Sequence, residues 1–214
     1  MQIEELTHAV IEGNIEGAVK LTQEALKEGV SAQKIYREGL IPGMEGVGKK
    51  MQSGEYFIPE VLLSAQVMKQ ALEIIRPTLM QAKSQSPLGR VVMGTVQGDL
   101  HDIGKNLVIA MLEGAGFEVT DLGIDTPSRK FVTAVKETNA KIVGLSALLS
   151  VTMLKMKDVI HSLEEAGIRK NVKVIIGGAS VSQGFAEEIG ADGYAPDAGS
   201  AVDLSKHLLN IGDR

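Results

Sequence analysis

The N-terminal part of the chain carries apolar side chains at the spacing of amphipathic helices. The longest such series advances by alternating steps of four and three: Val61, Ala65, Met68, Leu72, Ile75 and Leu79. Shorter series of the same kind begin at Ile3, Ile15 and Leu40, and glycines separate them. One apolar face per helix is typical of a packed bundle. The pattern therefore predicts a four-helix bundle over residues 1–83, in which Pro42 begins or kinks the third helix.

After residue 89 the pattern changes to short β-rich runs that alternate with helical stretches. The predicted strands are 90–95, 117–122, 141–146, 172–177 and 193–195. The predicted helices are 104–115, 128–138, 153–166, 181–189 and 199–210. Continuous apolar strands between helices are typical of an α/β protein whose parallel sheet is covered on both faces. We predict a flavodoxin-like (Rossmann-like) doubly wound sheet of five strands in the order 2-1-3-4-5.

The polar stretch at 84–89 contains Pro87 and Gly89 and is predicted to be a linker. It separates a predicted helical domain, residues 1–83, from a predicted sheet domain, residues 90–214. Each of these is long enough to bury a core of its own.

Composition and charge exclude several classes of function. The 214 residues are 44% hydrophobic, include four histidines and no cysteine, and carry a net charge of −5. Without cysteine there is no disulfide, thiolate metal site or cysteine nucleophile. The slight acidity argues against a nucleic-acid surface, and no apolar run is long enough to span a membrane. The acidic, amphipathic N-terminus does not resemble a signal peptide, so we expect a cytoplasmic protein.

The predicted fold also indicates where a ligand should bind. In an open α/β sheet, ligands bind beyond the carboxyl ends of the strands, where the strand order reverses. The loops after predicted strands 1, 3 and 4 should meet there, and they span residues 97–104, 146–152 and 177–180. All three are rich in glycine or small hydroxyl residues, and His101 is the only histidine among them. We therefore expect the site at this edge of the sheet.

One residue separates Asp99 from His101, so the loop can bring the carboxylate to one ring nitrogen and leave the other free for a metal ion. A carboxylate behind a ligating histidine fixes its tautomer and raises its basicity. The pair alone also fits an aspartate at a helix N-terminus beside a surface histidine. A phosphate-binding loop around Gly98, Gly104 and Lys105 is disfavoured, because the glycine spacing is wrong and the nearby carboxylates would repel phosphate.

Three short motifs together resemble a known family. They are Asp99-Leu100-His101-Asp102-Ile103-Gly104, then Ser146-Ala147-Leu148, then Gly177-Gly178. Their order, spacing and strands resemble the cobalamin-binding domain of corrinoid proteins and of methionine synthase. The helical half, with residues 54–60 followed by Ala65 and Met68, resembles the domain that covers the corrin in methyl-carrying members. The resemblance extends over nearly the whole chain and points to the two-domain corrinoid proteins of methanogen and acetogen methyltransferase systems.

The resemblance implies that the chain binds cobalamin or a related corrinoid as methylcobalamin, base-off and His-on. His101 would be the lower ligand of cobalt, Asp99 would bond its far nitrogen, and Thr152 would complete the relay. Further implied contacts to the cofactor and its nucleotide tail are Gly98, Leu100, Asp102, Ile103, Gly104, Ser146, Leu148, Ser150, Gly177, Gly178, Tyr194, Ala195 and Asp197. In the helical domain, Phe57, Leu62 and Leu63 would cover the upper face of the corrin.

The resemblance also implies a function as a methyl carrier. Cobalt(I) would take a methyl group from a donor-specific methyltransferase, and methylated cobalt(III) would pass it to a second methyltransferase with a thiol or folate acceptor. A reductive activator would be a further partner. Two alternatives stay open, a cobalamin-dependent sensor or regulator and an adenosylcobalamin mutase subunit. A flavodoxin-like module without cobalamin would leave the three motifs as a coincidence.

Overall fold

The structure, a computed structural model, describes residues 2–81 and 87–211. The chain forms two compact units, a helical unit and a sheet unit, and the sheet unit begins at Pro87. Residues 84–86 of the predicted linker lie outside the described residues.

Among residues 2–81, the helical unit forms the predicted bundle. Its helices are α1 Gln2–Ile11, α2 Ile15–Lys27, α3 Ala32–Lys34, α4 Ile41–Gln52 and α5 Ile58–Gln81, and a π-helical segment, Ile35–Leu40, joins α3 to α4. Its core contains apolar residues from each stretch: Leu6, Val10, Ala18, Ile35, Met44, Val47, Val61, Met68 and Ile75. The apolar series predicted on α5 therefore faces the core, although the side chain of Leu79 lies outside the described part of the chain.

Pro42 explains why the third stretch changes its winding. Proline has no backbone N–H and cannot donate to the residue four positions earlier. Just before it, the N–H of Ile41 donates to Tyr36 O, a π-helical bond over five residues. The carbonyl of Gly39 accepts a hydrogen bond from Thr7 Oγ1 at 3.0 Å. The structure confirms that Pro42 lies at a helix start, in the first turn of α4.

The sheet unit contains the predicted parallel strands in the predicted order. They are β1 Arg90–Thr95, β2 Glu118–Asp121, β3 Ile142–Ser146, β4 Lys173–Gly177 and β5 Gly193–Tyr194, arranged β2-β1-β3-β4-β5. The helices are α6 Ile103–Gly114, α7 Ser128–Thr138, α8 Ser150–Met153, α9 Lys155–Glu165, α10 Gln183–Ile189 and α11 Ala198–Leu208, with a 3₁₀ turn at Arg169–Asn171. The register pairs Thr95 with Ser146 and Ser146 with Gly177, so β1, β3 and β4 end side by side.

Both faces of the sheet are buried, as the continuous apolar strands predict. Val92 and Val143 lie on one face, in a core with side chains of α7, α9 and α10. Their neighbours Val91 and Ile142 point to the opposite face, because side chains alternate along a strand, and they are buried as well. Because both faces are covered, a ligand can reach this sheet only beyond the ends of its strands.

Candidate functional site

The loops that follow β1, β3 and β4 meet at the carboxyl edge of the sheet. The N–H of Val96 donates to Ser146 O at 3.0 Å, and the N–H of Ala147 donates to Gly177 O at 3.2 Å. Residues 96–102 carry Asp99 and His101, and we call this segment the His101 loop. The loops predicted to form the site are therefore adjacent.

The His101 imidazole is fixed on one side and accessible on the other. Its Nδ1 lies 2.8 Å from Asp99 Oδ1, and the backbone N–H of His101 donates to the same oxygen at 3.0 Å. The His101 carbonyl accepts a hydrogen bond from Thr95 Oγ1 at 2.8 Å. A carboxylate only accepts, so Nδ1 carries the ring proton and Nε2 keeps a free lone pair. The side chain is 52% exposed, which leaves the ring open to a ligand.

Asp99 is fully buried, and its second oxygen is bound from the segment after β3. Oδ2 accepts hydrogen bonds from Thr152 Oγ1 at 2.5 Å and from the backbone N–H of Leu148 at 2.8 Å. The N–H of Leu149 adds a longer bond of 3.4 Å. Burial raises the pKa of Asp99, but the hydrogen bonds, that from Thr152 first, outweigh it and hold the pKa well below its usual range. Asp99 is therefore a fixed anion behind the imidazole.

Thr152 contacts Asp99 from the helical segment that follows β3. The sequence predicts one helix over 153–166, but the structure has a single turn, α8 Ser150–Met153, which Leu154 separates from α9. Thr152 lies within this turn and is buried. The helical segment begins at Ser150, earlier than predicted, and this places the Thr152 hydroxyl in its first turn, where it donates to the carboxylate of Asp99. His101, Asp99 and Thr152, which the resemblance groups together, are thus in contact.

The carboxyl edge also exposes large apolar side chains. They lie in the His101 loop, at the start of α6 and in the segment after β3: Leu100, Ile103, Leu148, Leu149, Val151 and Leu154. Leu100 is 67% exposed and Val151 is 74% exposed. Several exposed apolar side chains on one edge are typical of a binding surface. They fit a ligand with a wide apolar face, such as the corrin ring.

The glycine pair after β4 is required by the fold itself. A Cβ at Gly178 would lie 1.9 Å from Ala147 O, and the φ of Gly178 is +126°, a conformation that favours glycine. A Cβ at Gly177 would lie 2.9 Å from Ala195 O. Close backbone packing therefore explains both glycines.

Ser180 is a polar residue of the same edge that the three motifs do not include. Its Oγ is buried and has no hydrogen-bond partner among the described residues. A buried hydroxyl without a partner costs about 1–3 kcal/mol, so a ligand that bonds to it would stabilise the protein. The only sign of Ser180 in the sequence is its position shortly after Gly177-Gly178. An accessible imidazole nitrogen, an apolar rim and an unpaired hydroxyl together fit a corrinoid with a polar tail.

The remaining residues of the first two motif loops have varied surroundings. Gly98 is exposed with φ of +83°, and Gly104 lies in the first turn of α6 with open space beside it. Asp102 precedes α6, and its Oδ2 accepts a hydrogen bond from Asn106 Nδ2 at 3.2 Å. Ser150 is exposed at the first position of α8.

The predicted contacts near β5 are engaged in the fold. Tyr194 ends β5 and is partly buried, and Ala195 is buried directly after it. Asp197 is the N-cap of α11, where its Oδ1 accepts a hydrogen bond from the N–H of Ser200 at 2.8 Å. The carboxylate of Asp197 is therefore used by its own helix.

The predicted contacts in the helical unit lie at the start of α5. Phe57, Leu62 and Leu63 expose a substantial part of their side chains, and Phe57 is 66% exposed. The preceding Tyr56 anchors this turn, because its hydroxyl donates to Ile11 O at 3.0 Å. Tyr56 is therefore part of the bundle, whereas Phe57 is left outside its core.

Lys105 is buried and ion-paired rather than available to a phosphate. Its Nζ lies 2.8 Å and 2.9 Å from the two carboxylate oxygens of Asp121, and 2.6 Å from Asn106 Oδ1. These bonds fix the start of α6 to the end of β2, and they agree with the exclusion of a phosphate-binding loop. Sequence spacing does not reveal this pair, because a lysine in a helix is normally exposed.

The described residues contain no group of three or more His, Cys, Asp or Glu side chains that could hold a metal ion. A metal ion already held by a macrocycle needs only an axial nitrogen, which His101 can supply. In the same described ranges, no helix has both the length and the hydropathy needed to cross a bilayer.

Two family models match the chain. A B12 binding domain matches residues 89–203, and a second B12 binding domain model matches residues 2–76. The first match covers the whole carboxyl edge of the sheet, including His101, and the second covers most of the helical unit.

Known relatives match over nearly the full length. A corrinoid protein of Desulfitobacterium hafniense is 41% identical, with 97% of each chain covered. The dimethylamine corrinoid protein 1 of Methanosarcina acetivorans is 43% identical, again with 97% of each covered. A chain in the crystal structure of the methanol:cobalamin methyltransferase complex of Methanosarcina barkeri is 30% identical with a TM-score of 0.87, covering 98% of this chain and 80% of that one. The protein therefore belongs to the B12-binding corrinoid proteins, and its cofactor is a cobalamin-type corrinoid.

Proposed function

We propose that the protein carries methyl groups on the cobalt of its corrinoid, between a donor-specific methyltransferase and a second methyltransferase with a thiol or folate acceptor. The observation that carries this proposal is the imidazole of His101, held at Nδ1 by the buried Asp99 carboxylate and left free at Nε2. The named relatives support it, since they include a dimethylamine corrinoid protein and a chain from a methanol:cobalamin methyltransferase complex.

In this proposal His101 Nε2 would hold the cobalt of the corrinoid. When bound, the corrinoid supplies a cobalt atom that accepts and releases a methyl group. Asp99 keeps the ring proton on Nδ1 and makes Nε2 a better donor to the metal. Thr152 holds Asp99 in place from the segment after β3.

The surroundings of Asp99 determine where the ring proton of His101 resides. Both oxygens of Asp99 already accept hydrogen bonds, and its pKa is well below the usual range. Asp99 therefore stays ionised, and the proton on Nδ1 is held on His101 rather than shared with Asp99 and Thr152.

The loops after β3 and β4 would receive the nucleotide tail. Ser146 and Ser180 would supply hydroxyls, and Gly177 and Gly178 are the proposed backbone contacts. The unpaired Oγ of Ser180 supports this part of the proposal, because a tail with hydrogen-bonding groups would satisfy it.

The helical unit would shield the methyl group from water. Phe57, Leu62 and Leu63 are the residues proposed to lie over the upper face of the corrin, and their exposure at the start of α5 supports this role. A methyltransferase must reach the group that they cover, so the helical unit is proposed to uncover it during transfer. A reductive activator would restore the cobalt after oxidation.

Reconstitution and methyl transfer test this function. The protein is loaded with a corrinoid and combined with methylamine- or methanol-specific methyltransferases and their donors. We expect the absorption spectrum to change to that of the methylated cofactor with one class of donor. A corrinoid spectrum that never changes with any donor and methyltransferase would contradict the carrier role and leave only cofactor binding.

A further inference from the structure

The loop between β2 and α7 is bound along its length to β1 and the His101 loop. The N–H of Thr95 donates to Gly123 O at 3.0 Å, and the N–H of Thr126 donates back to Thr95 O at 2.9 Å. Val96 and Thr126 form a parallel bridge just beyond the end of the strands. We call residues 122–127 the β2–α7 loop.

Asp125 forms hydrogen bonds with Gly98 and Asp99, the two residues that precede Leu100 and His101. Its Oδ1 accepts a hydrogen bond from the N–H of Gly98 at 2.7 Å, and its own N–H donates to Asp99 O at 2.9 Å. The φ of Asp125 is +47°, in the left-handed region that non-glycine residues rarely adopt. Such a conformation persists where the surrounding contacts determine it, and here those contacts are to the His101 loop.

The position of Asp99 determines the position of the imidazole. Asp99 Oδ1 binds both the backbone N–H and Nδ1 of His101, so a shift of the Asp99 backbone moves the ring with it. The carbonyl of Asp99 is held by Asp125, and its N–H donates to Val96 O at 3.1 Å. Asp125 is thus linked to the His101 ring through one intervening residue.

We propose that Asp125 is a positioning residue that sets the orientation of the His101 imidazole. The proposal deepens the proposed function, because His101 is there the ligand of the corrinoid cobalt. Asp125 holds the part of the His101 loop that precedes His101, and the buried ion pair of Lys105 with Asp121 holds the chain just after His101. The two attachments hold the loop from both sides.

Three variants distinguish the effect of the hydrogen bond between Asp125 and Gly98 from the effect of the left-handed backbone conformation of Asp125. Asp125→Asn keeps an acceptor for Gly98 and tolerates the left-handed conformation. Asp125→Gly removes the acceptor and relieves the strain, whereas Asp125→Ala removes the acceptor and keeps the strain. Asn139→Gly is the matched control, because Asn139 has a φ of +55° at the C-terminus of α7, away from the His101 loop.

The first measurement uses the cofactor-free protein. Nitrogen-15 chemical shifts of the imidazole report which ring nitrogen carries the proton. We expect the wild-type protein, Asp125→Asn and Asn139→Gly to show His101 protonated on Nδ1, and Asp125→Gly and Asp125→Ala to show a mixture of both tautomers. The melting temperatures of Asp125→Gly and Asn139→Gly should be close to that of the wild-type protein.

The second measurement uses the protein loaded with cob(II)alamin. Electron paramagnetic resonance reports the histidine nitrogen on cobalt, and titration reports affinity. A lost hydrogen bond predicts a cofactor affinity about three- to tenfold weaker in Asp125→Gly, with a smaller share of nitrogen-split signal. Asp125→Asn should show the wild-type cofactor affinity and the wild-type share of nitrogen-split signal.

The two measurements distinguish the failure of this proposal from that of the proposed function. Wild-type imidazole shifts in Asp125→Gly would overturn the role of Asp125, whatever the cobalt signal shows. A wild-type protein without any histidine splitting would overturn His101 as the cobalt ligand, and the shifts of the cofactor-free protein would still decide the role of Asp125.

Discussion

Two carboxylates lie at opposite edges of the sheet and are bound by different groups. At the carboxyl edge, the buried Asp99 is bound by a hydroxyl, by backbone N–H groups and by an imidazole. At the amino edge, Asp192 is bound by two cations. Oδ2 of Asp192 lies 2.7 Å from Arg169, and Oδ1 lies 3.2 Å from Lys173. Burial raises the pKa of Asp192, but the N–H of Val174 and the two cations lower it overall. Both carboxylates are therefore held as anions, but by different donors.

The two carboxylates differ in what their charge does. The charge of Asp192 stabilises the fold, whereas the charge of Asp99 remains available to the ligand site. The cations neutralise Asp192 and tie the start of β4 to the loop before β5. Asp99 has uncharged donors, so its negative charge is left to act on His101. The carboxyl edge also exposes apolar residues such as Leu100 and Val151, which water does not stabilise. The charged residues of the amino edge are paired with one another, whereas the exposed residues of the carboxyl edge are left for a cofactor to cover.

Replacing His101 should have the largest effect, because it removes the proposed ligand outright. In His101→Ala with bound cob(II)alamin, we expect complete loss of the histidine nitrogen splitting in electron paramagnetic resonance. The protein should stay folded, and the free energy of unfolding should fall by about 1–3 kcal/mol, because the buried Asp99 Oδ1 loses the ring N–H of His101 and keeps its backbone N–H. His161→Ala, an exposed histidine in α9, is the control. Nitrogen-15 labelling of histidine in the wild-type protein should turn triplets into doublets, and an unchanged pattern would contradict the assignment.

Asp99→Asn should have the next largest effect. An amide has one acceptor oxygen, and both carboxylate oxygens of Asp99 face backbone N–H donors, so one donor must lose its partner. We expect the free energy of unfolding to fall by about 1–3 kcal/mol. Corrinoid binding should weaken by roughly 10–100-fold, because His101 loses the partner that holds its tautomer. Urea unfolding and cofactor titration measure the two effects, and wild-type values in both would show that Asp99 is not needed.

Asp192→Asn should have a smaller effect, confined to stability. The amide oxygen can still accept from Val174, and the amide NH₂ would face the half-exposed Lys173, which can move into solvent. We expect a loss of about 1 kcal/mol at neutral pH and no change in cofactor binding. Weaker corrinoid binding by this variant would remove the distinction between the edges.

The pH dependence of that loss follows from the lowered pKa of Asp192. A carboxylate with a lowered pKa stabilises the fold above its unfolded pKa of about 3.9, and the contribution is lost as pH falls towards the folded value. The stability difference between the wild-type protein and Asp192→Asn should therefore be constant above about pH 5 and shrink below pH 4. Urea unfolding at a series of pH values measures it, and a difference that grows with acid would contradict the charge-pair explanation.

Phe57→Ala should give the smallest effect. Its side chain lies outside the bundle core, so stability should hardly change. If the helical unit shields the methyl group, photolysis of the methylated cofactor should become faster. Lys20→Ala, an exposed side chain in α2 with no proposed role in the site, is the control. Equal photolysis rates in both variants would contradict the shielding role of Phe57.

The sequence predicts the strand order, and therefore which loops meet, because continuous apolar strands between helices permit few arrangements. The strand order brings Thr152 to the same edge as Asp99 and His101, although Thr152 lies 53 residues after Asp99 in the chain. It does not predict the break at Leu154, which interrupts an otherwise helical spacing. Nor does it predict Asp125, because its left-handed conformation depends on hydrogen bonds to residues that are close only in the folded protein.

The hydrogen bonds of Asp99 to Leu148 and Thr152 join positions 49 and 53 residues apart. They form only after β3 has paired with β1, which requires the closure of a long loop. Until then, Asp99 is an ordinary solvated carboxylate and His101 an ordinary histidine. The orientation of the imidazole therefore depends on the pairing of β1 with β3, and the centre of the sheet must be in place for the chain to present a ligand to its cofactor.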